Sequence, residues 1–216
     1  MNQIFTIGHS TDTLDYFLAH LVSNQIDTII DVRSVPYSRF VTQFNKEQLA
    51  LFLKEKNVYY VPMGEYLGAR YEDEDLLFED GKVNFSKVIT TKRFQEGIER
   101  VETGIKKGHK IALMCSEKNP IECHRFSLIS PYLHKKGHII NHIVDEDVFE
   151  HKLLESKLLD YYKEYHKISF DIGKITEFHL MQSTLFDIDN IDEDELYITL
   201  NRLVAYNPME TKKEMA

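Results

Sequence analysis

The chain has 216 residues, of which 43% are hydrophobic, and it carries a formal net charge of -9. This composition is typical of a soluble globular protein, and no apolar run approaches the roughly 20 residues of a membrane span, so we expect no membrane partner. The acidic balance also argues against charge-driven binding along a nucleic-acid duplex, which needs a basic face.

The cellular compartment and the cofactors are constrained by simple features. The N-terminus lacks the basic and apolar regions of a secretion signal. The two cysteines, Cys115 and Cys123, lie eight positions apart, which favours site residues in a reducing cytoplasm over a disulfide framework. The sequence has neither a Gly-rich dinucleotide fingerprint nor a Walker loop, so we predict no cofactor.

Short apolar segments alternate with helical periodicity along the first two thirds of the chain. The segments typical of buried strands are residues 3–7, 27–32, 58–61, 110–115 and 138–143. Amphipathic helices are predicted at residues 13–25, from Asn45 through Leu53, at 91–107, and from Cys123 to a stop at Gly137. Pro131 should kink the last of these helices or displace its start.

This order of elements predicts an α/β fold with a mostly parallel, Rossmann-like sheet of five strands and helices on both faces. We place this domain at residues 1–147. An α-rich extension with a helix and an acidic, partly flexible tail follows at residues 148–216. Residues 66–86 fit neither helix nor strand, and their length favours a lid or a partly ordered loop.

Polar side chains follow several strand ends, and the carboxyl ends of parallel strands share one edge of a sheet, where ligands usually bind. The strand-end residues are His9, Ser10, Asp31, Arg33, Ser34, Cys115, Glu117 and Asp145. The loop after the fourth strand adds Cys123, His124 and Arg125 at a helix start. We therefore predict a ligand or reaction site at this edge.

Several of these residues also have a structural interpretation. His9 could simply cap the first helix through its neighbours, and Asp31 and Arg33 could form a structural ion pair. Cys115 could pack as a small hydrophobic residue. Alternatively, Arg125 and the following helix could lower the pKa of the Cys115 thiol and make it reactive.

Cysteines, histidines and arginines at one sheet edge raise three possible chemistries. The spacing between Cys115 and Arg125 does not match the phosphotyrosine phosphatase loop. Zinc is an alternative, with Cys115, Cys123, His124 and His9 as ligands, but the cysteine spacing exceeds that of the usual knuckle. We favour a pocket for a small phosphate-bearing ligand, with Arg33, Arg125, Ser10 and the backbone amides at residues 8–10 as donors.

Four groups of motifs resemble the domain of unknown function 488 (DUF488) family. They are Thr6-Ile-Gly-His-Ser10, Asp31-Val-Arg-Ser34 with Pro36 and Ser38, Tyr66-Leu-Gly68, and Leu113-Met-Cys-Ser-Glu117 with Cys123-His-Arg125. The resemblance spans about residues 3–145 and departs at Ala69, where members often carry a second glycine. The family has no settled activity, so the resemblance implies only the α/β fold and a site at the motif residues. These are His9, Ser10, Asp31, Arg33, Ser34, Cys115, Glu117, Cys123, His124 and Arg125.

A separate motif lies near the C-terminus. Gln182-Ser-Thr-Leu-Phe186 is similar to the bacterial peptide that binds the sliding clamp, in which the residues matching Leu185 and Phe186 enter an apolar pocket. The acidic run at 187–195 would leave this peptide accessible. The alternative is that Leu185 and Phe186 pack on the core.

Together these patterns predict a cytoplasmic enzyme that acts on a nucleotide or on nucleic acid. Arg33 and Arg125 would bind phosphate, Cys115 or Glu117 would be the reactive group, and His9 or His124 would transfer protons. The alternative is a non-catalytic nucleotide-binding or DNA-maintenance module, tethered to the sliding clamp by the peptide at residues 182–186.

Overall fold

The computed structural model describes residues 2–165 and 193–208 of the chain. Its strands are β1 Gln3–Gly8, β2 Thr28–Asp31, β3 Tyr59–Pro62, β4 Ile111–Cys115, β5 Ile139–Val144 and β6 Asp147–Glu150. Its α-helices are α1 Leu14–Ser23, α2 Lys46–Glu55, α3 Gly64–Leu67, α4 Phe85–Val88, α5 Lys92–Lys106, α6 Ser130–Lys135, α7 His151–Tyr165 and α8 Glu193–Val204. Shorter 3-10 turns cover Thr42–Phe44, Glu74–Leu76 and Pro120–Glu122, and a π turn covers Arg125–Ile129.

The six strands form one sheet in the order β3-β2-β4-β1-β5-β6. The five predicted strands are confirmed and run parallel. The expected number of five was wrong, because β6 adds a sixth strand that pairs antiparallel with β5. Asp145 and Glu146 form the tight connection between them, and Asp145 adopts a φ of 51°, which aspartate tolerates better than most residues.

The position of β4 distinguishes this sheet from the Rossmann order, in which β1 lies beside β2. Here β4 lies between β1 and β2, and the register places Gly8 beside Cys115 and Asp31 beside Met114. The Rossmann-like part of the expectation is therefore not confirmed. The carboxyl ends of β1, β4 and β2 stand side by side, and this arrangement brings their exit loops together.

Helices cover both faces of the sheet, because successive strand side chains point to opposite faces. One face packs against α5 and α6 through Ile4, Ile30, Leu113, Ile140, Phe94, Ile98 and Leu133. The other face packs against α1 and α2 through Phe5, Ile29, Met114, Phe17, Leu21, Leu49 and Leu53. Burial of these apolar side chains fixes the sheet from both sides.

Pro131 displaces the start of the predicted helix, as expected from its missing N–H. The chain makes the π turn Arg125–Ile129 first, and Pro131 then lies in the opening turn of α6. The Ser130 hydroxyl donates to the Arg125 carbonyl at 2.6 Å. This turn keeps Arg125 within the buried part of the molecule, where its exposed fraction is 0%.

The segment 66–86 is packed rather than an open lid, contrary to expectation. Tyr71, Leu77 and Val83 are buried in the core that contains α5. The Val83 amide donates to the Tyr206 carbonyl at 3.0 Å, so the segment is tied to the chain that follows α8.

The C-terminal helices also join the core. Leu154 and Leu158 of α7 and Leu196 and Leu200 of α8 are buried with Ile121 and Phe126. A hydrogen-bonded chain links Thr6, His142, His151 and Tyr197, and it connects β1, β5, α7 and α8. The proposed clamp peptide, with Gln182, Leu185 and Phe186, lies outside the described residues. Within 2–165 and 193–208, no helix is long and apolar enough to cross a membrane.

Asn201 of α8 provides a test of this docking. Its Oδ1 accepts from the Phe85 amide at 2.8 Å and its Nδ2 donates to the Val83 carbonyl at 2.9 Å. Asn201→Ala leaves two buried backbone groups unsatisfied, so we expect the free energy of unfolding to fall by about 2–4 kcal/mol. Urea unfolding measures this loss. Arg202→Ala is the control, because its ion pair with Asp80 is half exposed and is worth less than about 1 kcal/mol. Equal losses in both variants would contradict the docking.

Candidate functional site

A pocket of about 300 Å³ opens at the carboxyl ends of β4 and β2. Six of the predicted site residues line it, namely Arg33, Ser34, Cys115, Glu117, Cys123 and His124. His9, Ser10, Asp31 and Arg125 do not line it. The structure therefore brings together the cysteine-containing part of the predicted site and gives the remaining residues other positions.

The two thiols and one imidazole form a compact cluster in the pocket wall. His124 Nδ1 lies 3.8 Å from Cys115 Sγ and 3.6 Å from Cys123 Sγ, and all three atoms lie within 4.8 Å of one another. All three residues are buried. Two sulfurs and one ring nitrogen at these separations could hold a metal ion.

The loop between β4 and the π turn fixes the two sulfurs through short-range contacts. Asn119 Oδ1 accepts from the Ile121 amide at 3.1 Å, which sets the turn before Cys123. The Arg125 amide donates to Cys123 Sγ at 3.5 Å. Gly8 is required beneath the loop, because a Cβ there would lie 1.8 Å from the Glu117 carbonyl oxygen. The cluster is therefore built by backbone geometry as well as by side chains.

Arg125 supports the same loop from below. Its Nη1 donates to the Glu117 carbonyl at 2.5 Å and its Nη2 donates to the Lys118 carbonyl at 2.8 Å. Its Nε has no hydrogen-bond partner among the described residues. The predicted role of Arg125 was phosphate binding, but both terminal nitrogens are committed to the loop. Its visible role is to hold the loop that carries Glu117.

Arg33 is committed to a second buried network, so the ion-pair interpretation describes it better than phosphate binding. Its Nε and Nη2 donate to the two carboxylate oxygens of Asp31 at 2.9 and 2.6 Å. Nη2 also donates to the Phe44 carbonyl at 2.9 Å, and the Tyr60 hydroxyl donates to Asp31 at 2.5 Å. This fork-to-fork geometry is the strong form of an arginine–carboxylate pair.

His9 belongs to this network as a neutral acceptor. Arg33 Nη1 lies 3.0 Å from His9 Nε2, and because arginine can only donate, Nε2 accepts and the proton resides on Nδ1. Nδ1 donates to the Ser10 carbonyl at 2.8 Å, and the ring stacks on Phe44 at 4.2 Å. Burial and the Arg33 charge lower the pKa of His9 to about 4. A proton-transfer role at neutral pH is therefore poorly matched to this residue.

Ser10 also has a backbone role. Its amide donates to the Ser116 carbonyl at 2.8 Å, and it adopts a φ of 45°. Asp145 forms an ion pair with Lys118 at the same edge of the sheet. The first contact secures the exit loop of β1 to that of β4, and the second secures the connection between β5 and β6 to the loop after β4.

The electrostatics of the cysteine cluster differ from the expectation that Arg125 lowers the pKa of Cys115. The hydrogen bond with Cys123 and burial raise the pKa of Cys115 well above its ordinary value. Burial alone would raise the pKa of Cys123, but its hydrogen bond with Cys115 and the charges of Arg125 and His124 lower it well below the ordinary value. Cys123 is therefore the thiol that ionises first.

Glu117 lies beside this thiol pair. The Cys115 thiol donates to Glu117 Oε2 at 3.0 Å. Burial and the charge of Cys123 raise the pKa of the Glu117 carboxyl. The pocket thus combines two thiols, an imidazole and a partly dehydrated carboxyl group.

The pocket residues that the sequence reasoning missed include an arginine and a tyrosine that contact each other. Arg70 and Tyr206 line the pocket, and the Arg70 guanidinium lies 5.0 Å from the centre of the Tyr206 ring. Arg70 follows the Leu-Gly motif at Gly68 by two positions, which was the available signal. Tyr206 had no comparable signal, because its approach depends on the docking of α8.

The comparison with protein families gives one match. The family described as Domain of unknown function DUF488 matches residues 13–132. No curated protein and no solved structure matches the chain. The matched range includes Cys115, Cys123 and His124, whereas His9 and Tyr206 lie outside it.

The buried, neutral state of His9 predicts a pH dependence of stability. The unfolded chain protonates this histidine near pH 6.5, whereas the folded chain does so only at about pH 4. Between these values the unfolded state binds more protons, so the free energy of unfolding falls as the pH drops through this window. The loss reaches about 3 kcal/mol for this residue.

Urea unfolding across this pH window checks the prediction. We expect His9→Gln to show a shallower decline than the wild type, because glutamine does not titrate. His109→Gln is the control, since His109 is partly exposed and lies at the opposite edge of the sheet. A decline in His9→Gln as steep as in the wild type would show that His9 is not the residue responsible.

Proposed function

The chain belongs to the family described as Domain of unknown function DUF488, and from this premise we propose that it is a metal-dependent hydrolytic enzyme. Cys115, Cys123 and His124 would bind a zinc ion, and the pocket beside them would hold the substrate. The observation that carries this proposal is the spacing of the three donor atoms.

The spacing matches what tetrahedral zinc requires. Zinc–sulfur and zinc–nitrogen bonds of about 2.3 and 2.0–2.1 Å at a tetrahedral angle place sulfur and nitrogen about 3.6 Å apart. The His124 nitrogen lies 3.6 Å from one sulfur and 3.8 Å from the other. Little rearrangement of the side chains would therefore be needed to bind the ion.

The donor set and its surroundings favour a catalytic over a purely structural ion. Two thiolates and an imidazole suit zinc among the common biological metals. Structural zinc sites use four protein ligands, whereas catalytic sites use three and leave one position open. Within residues 2–165 and 193–208, three donors line an open pocket, and zinc in such a position lowers the pKa of a bound water.

Glu117 is the residue that would handle the proton. Its carboxylate lies next to Cys115, within the same pocket wall. A carboxylate beside an open coordination position serves as a general base in hydrolytic zinc sites. In this arrangement Glu117 replaces His9 as the proton-transfer residue, because both ring nitrogens of His9 are already engaged.

The expected nucleotide or nucleic-acid substrate remains a prediction from the sequence. The expected phosphate ligands, Arg33 and Arg125, have their terminal nitrogens engaged by protein acceptors. The charged group better placed for a substrate anion is Arg70, which is exposed and lines the pocket.

Metal analysis tests the proposal directly. We expect purified protein to carry about one zinc per chain, and we expect Cys115→Ser, Cys123→Ser and His124→Ala each to weaken zinc binding by tenfold or more. The metal content would be measured by elemental analysis, and the affinity by competition with a chromogenic chelator. Cobalt loading would add absorption bands characteristic of thiolate ligands.

Two variants serve as controls. Glu117→Gln should retain zinc if the carboxylate acts as a base, and loss of zinc in this variant would reassign it as a fourth ligand. His9→Gln should retain zinc, since His9 lies outside the cluster. Wild-type protein that binds neither zinc nor cobalt, with both thiols reduced and the fold intact, would overturn the proposal.

A second candidate function rests on the peptide at residues 182–186. We propose that it tethers the protein to a sliding clamp, as its similarity to the clamp-binding pattern suggests. Leu185→Ala and Phe186→Ala should each weaken retention on a purified bacterial clamp, because these side chains would enter the apolar pocket. Ser183→Ala is the matched control at the variable position of the pattern. Retention that ignores all three substitutions would remove the tether.

A further inference from the structure

An aromatic rim borders the pocket. We define the rim as residues 37–40, which follow Ser34 and Val35 of the pocket wall. Tyr37 is 65% exposed and Phe40 is 93% exposed. Large aromatic side chains are usually buried, so two exposed ones within four residues point to a partner.

The backbone of the rim is ordered by hydrogen bonds, so the exposure of its side chains does not result from loop flexibility. The Ser38 hydroxyl accepts from the Phe40 amide at 3.1 Å and from the Val41 amide at 3.3 Å. The Ser38 amide donates in turn to Asn45 Oδ1 at 2.7 Å. The backbone that carries Tyr37 and Phe40 is therefore held by side-chain hydrogen bonds before any partner binds.

Positive charge flanks these rings. Arg39 lies between them in the chain and is exposed. Arg70 lies on the pocket side, where its amide donates to Ser34 Oγ at 3.1 Å and its guanidinium stacks on Tyr206. Neither arginine forms an ion pair within residues 2–165 and 193–208. The pocket wall also contains the exposed acidic residue Glu122.

We propose that the rim and Arg70 bind a single-stranded nucleic acid and present one of its bases to the pocket. This inference rests on the proposed function for the pocket, but the binding surface itself does not require the metal. Aromatic rings stack on any base, and arginines between them contact the phosphates. Enzymes that act on a base take it out of the stack into a pocket.

The dimensions and the charge of the molecule agree with a single strand. Phe40 follows the pocket-lining Val35 by five residues, so it lies at most about 18 Å away along the chain. The net charge of -9 opposes binding along a duplex, which needs a broad basic face. A single strand whose bases stack on two rings and whose phosphates contact two arginines needs only this local surface.

Fluorescence anisotropy of a labelled 12-nucleotide single strand, as DNA and as RNA, tests the proposal with the full-length protein at low salt. We expect binding that weakens as salt rises. Phe40→Ala and Tyr37→Ala should each weaken it by about 5- to 150-fold, the range measured for loss of one stacking ring. Arg39→Gln and Arg70→Gln should weaken it and reduce its salt dependence.

Tyr59→Ala is the matched control, because Tyr59 is 63% exposed at the amino end of β3, whereas the rim follows the carboxyl end of β2. Zinc-free protein, prepared by treating Cys123→Ser with a chelator, separates the two proposals, because strand binding that it retains supports the rim even if the metal proposal fails. No binding by the wild type, or equal losses in Phe40→Ala and Tyr59→Ala, would overturn the rim proposal. A dimer that Phe40→Ala dissociates, without strand binding, would reassign the rim to contacts between copies of this chain.

Discussion

The buried guanidinium of Arg125 is the interaction on which the site depends. It is fully buried, and it donates to the two consecutive carbonyls of Glu117 and Lys118. A buried cation is costly unless its donors are satisfied, so the loop cannot move away without leaving the charge exposed to apolar surroundings. The same residue offers its backbone amide to Cys123. One side chain and its own amide therefore fix both ends of the cysteine-containing connection.

A second arginine secures the neighbouring strand by the same principle. Arg33 joins Asp31 at the end of β2 to His9 at the end of β1, although β4 lies between these strands. The two arginines thus hold the protein groups around the pocket in place, and their role is not to bind a ligand. Because Arg33 and Arg125 are bonded to protein groups, Arg70 is the arginine of the pocket wall that can contact a ligand. It belongs to the segment 66–86, whose sequence shows no regular pattern.

The sequence allowed the parallel strands and the sheet edge that their exits share to be predicted, because each depends on local pattern or on a rule shared by parallel sheets. The grouping of Cys115, Cys123 and His124 was only an alternative to the favoured phosphate pocket. The roles of Arg33 and Arg125 could not be predicted in the same way. Whether an arginine faces a ligand or a carbonyl is decided by tertiary packing. The strand β6 was missed since its short, charged sequence, Asp147–Glu150, lacks an apolar run. Tyr206 was missed because its contact with Arg70 joins residues far apart in the sequence, and no local spacing indicates such a contact.

Charge balance offers an independent reason why a metal ion suits this buried cluster. In the metal-free state, the positive charge of Arg125 lies near the Glu117 carboxyl group and two thiols that share protons. Because Cys123 is already ionised, a divalent ion bound by both thiolates adds two positive charges and releases only the proton of the Cys115 thiol. The buried region then gains one positive charge, which lies beside the Cys123 thiolate and the Glu117 carboxyl group. A phosphate in the same position would instead bring negative charge next to Glu117 and the ionised Cys123, with Arg125 already committed to the loop. The electrostatics of the cluster therefore favour a cation against the sulfurs and leave any substrate anion to Arg70 at the pocket mouth.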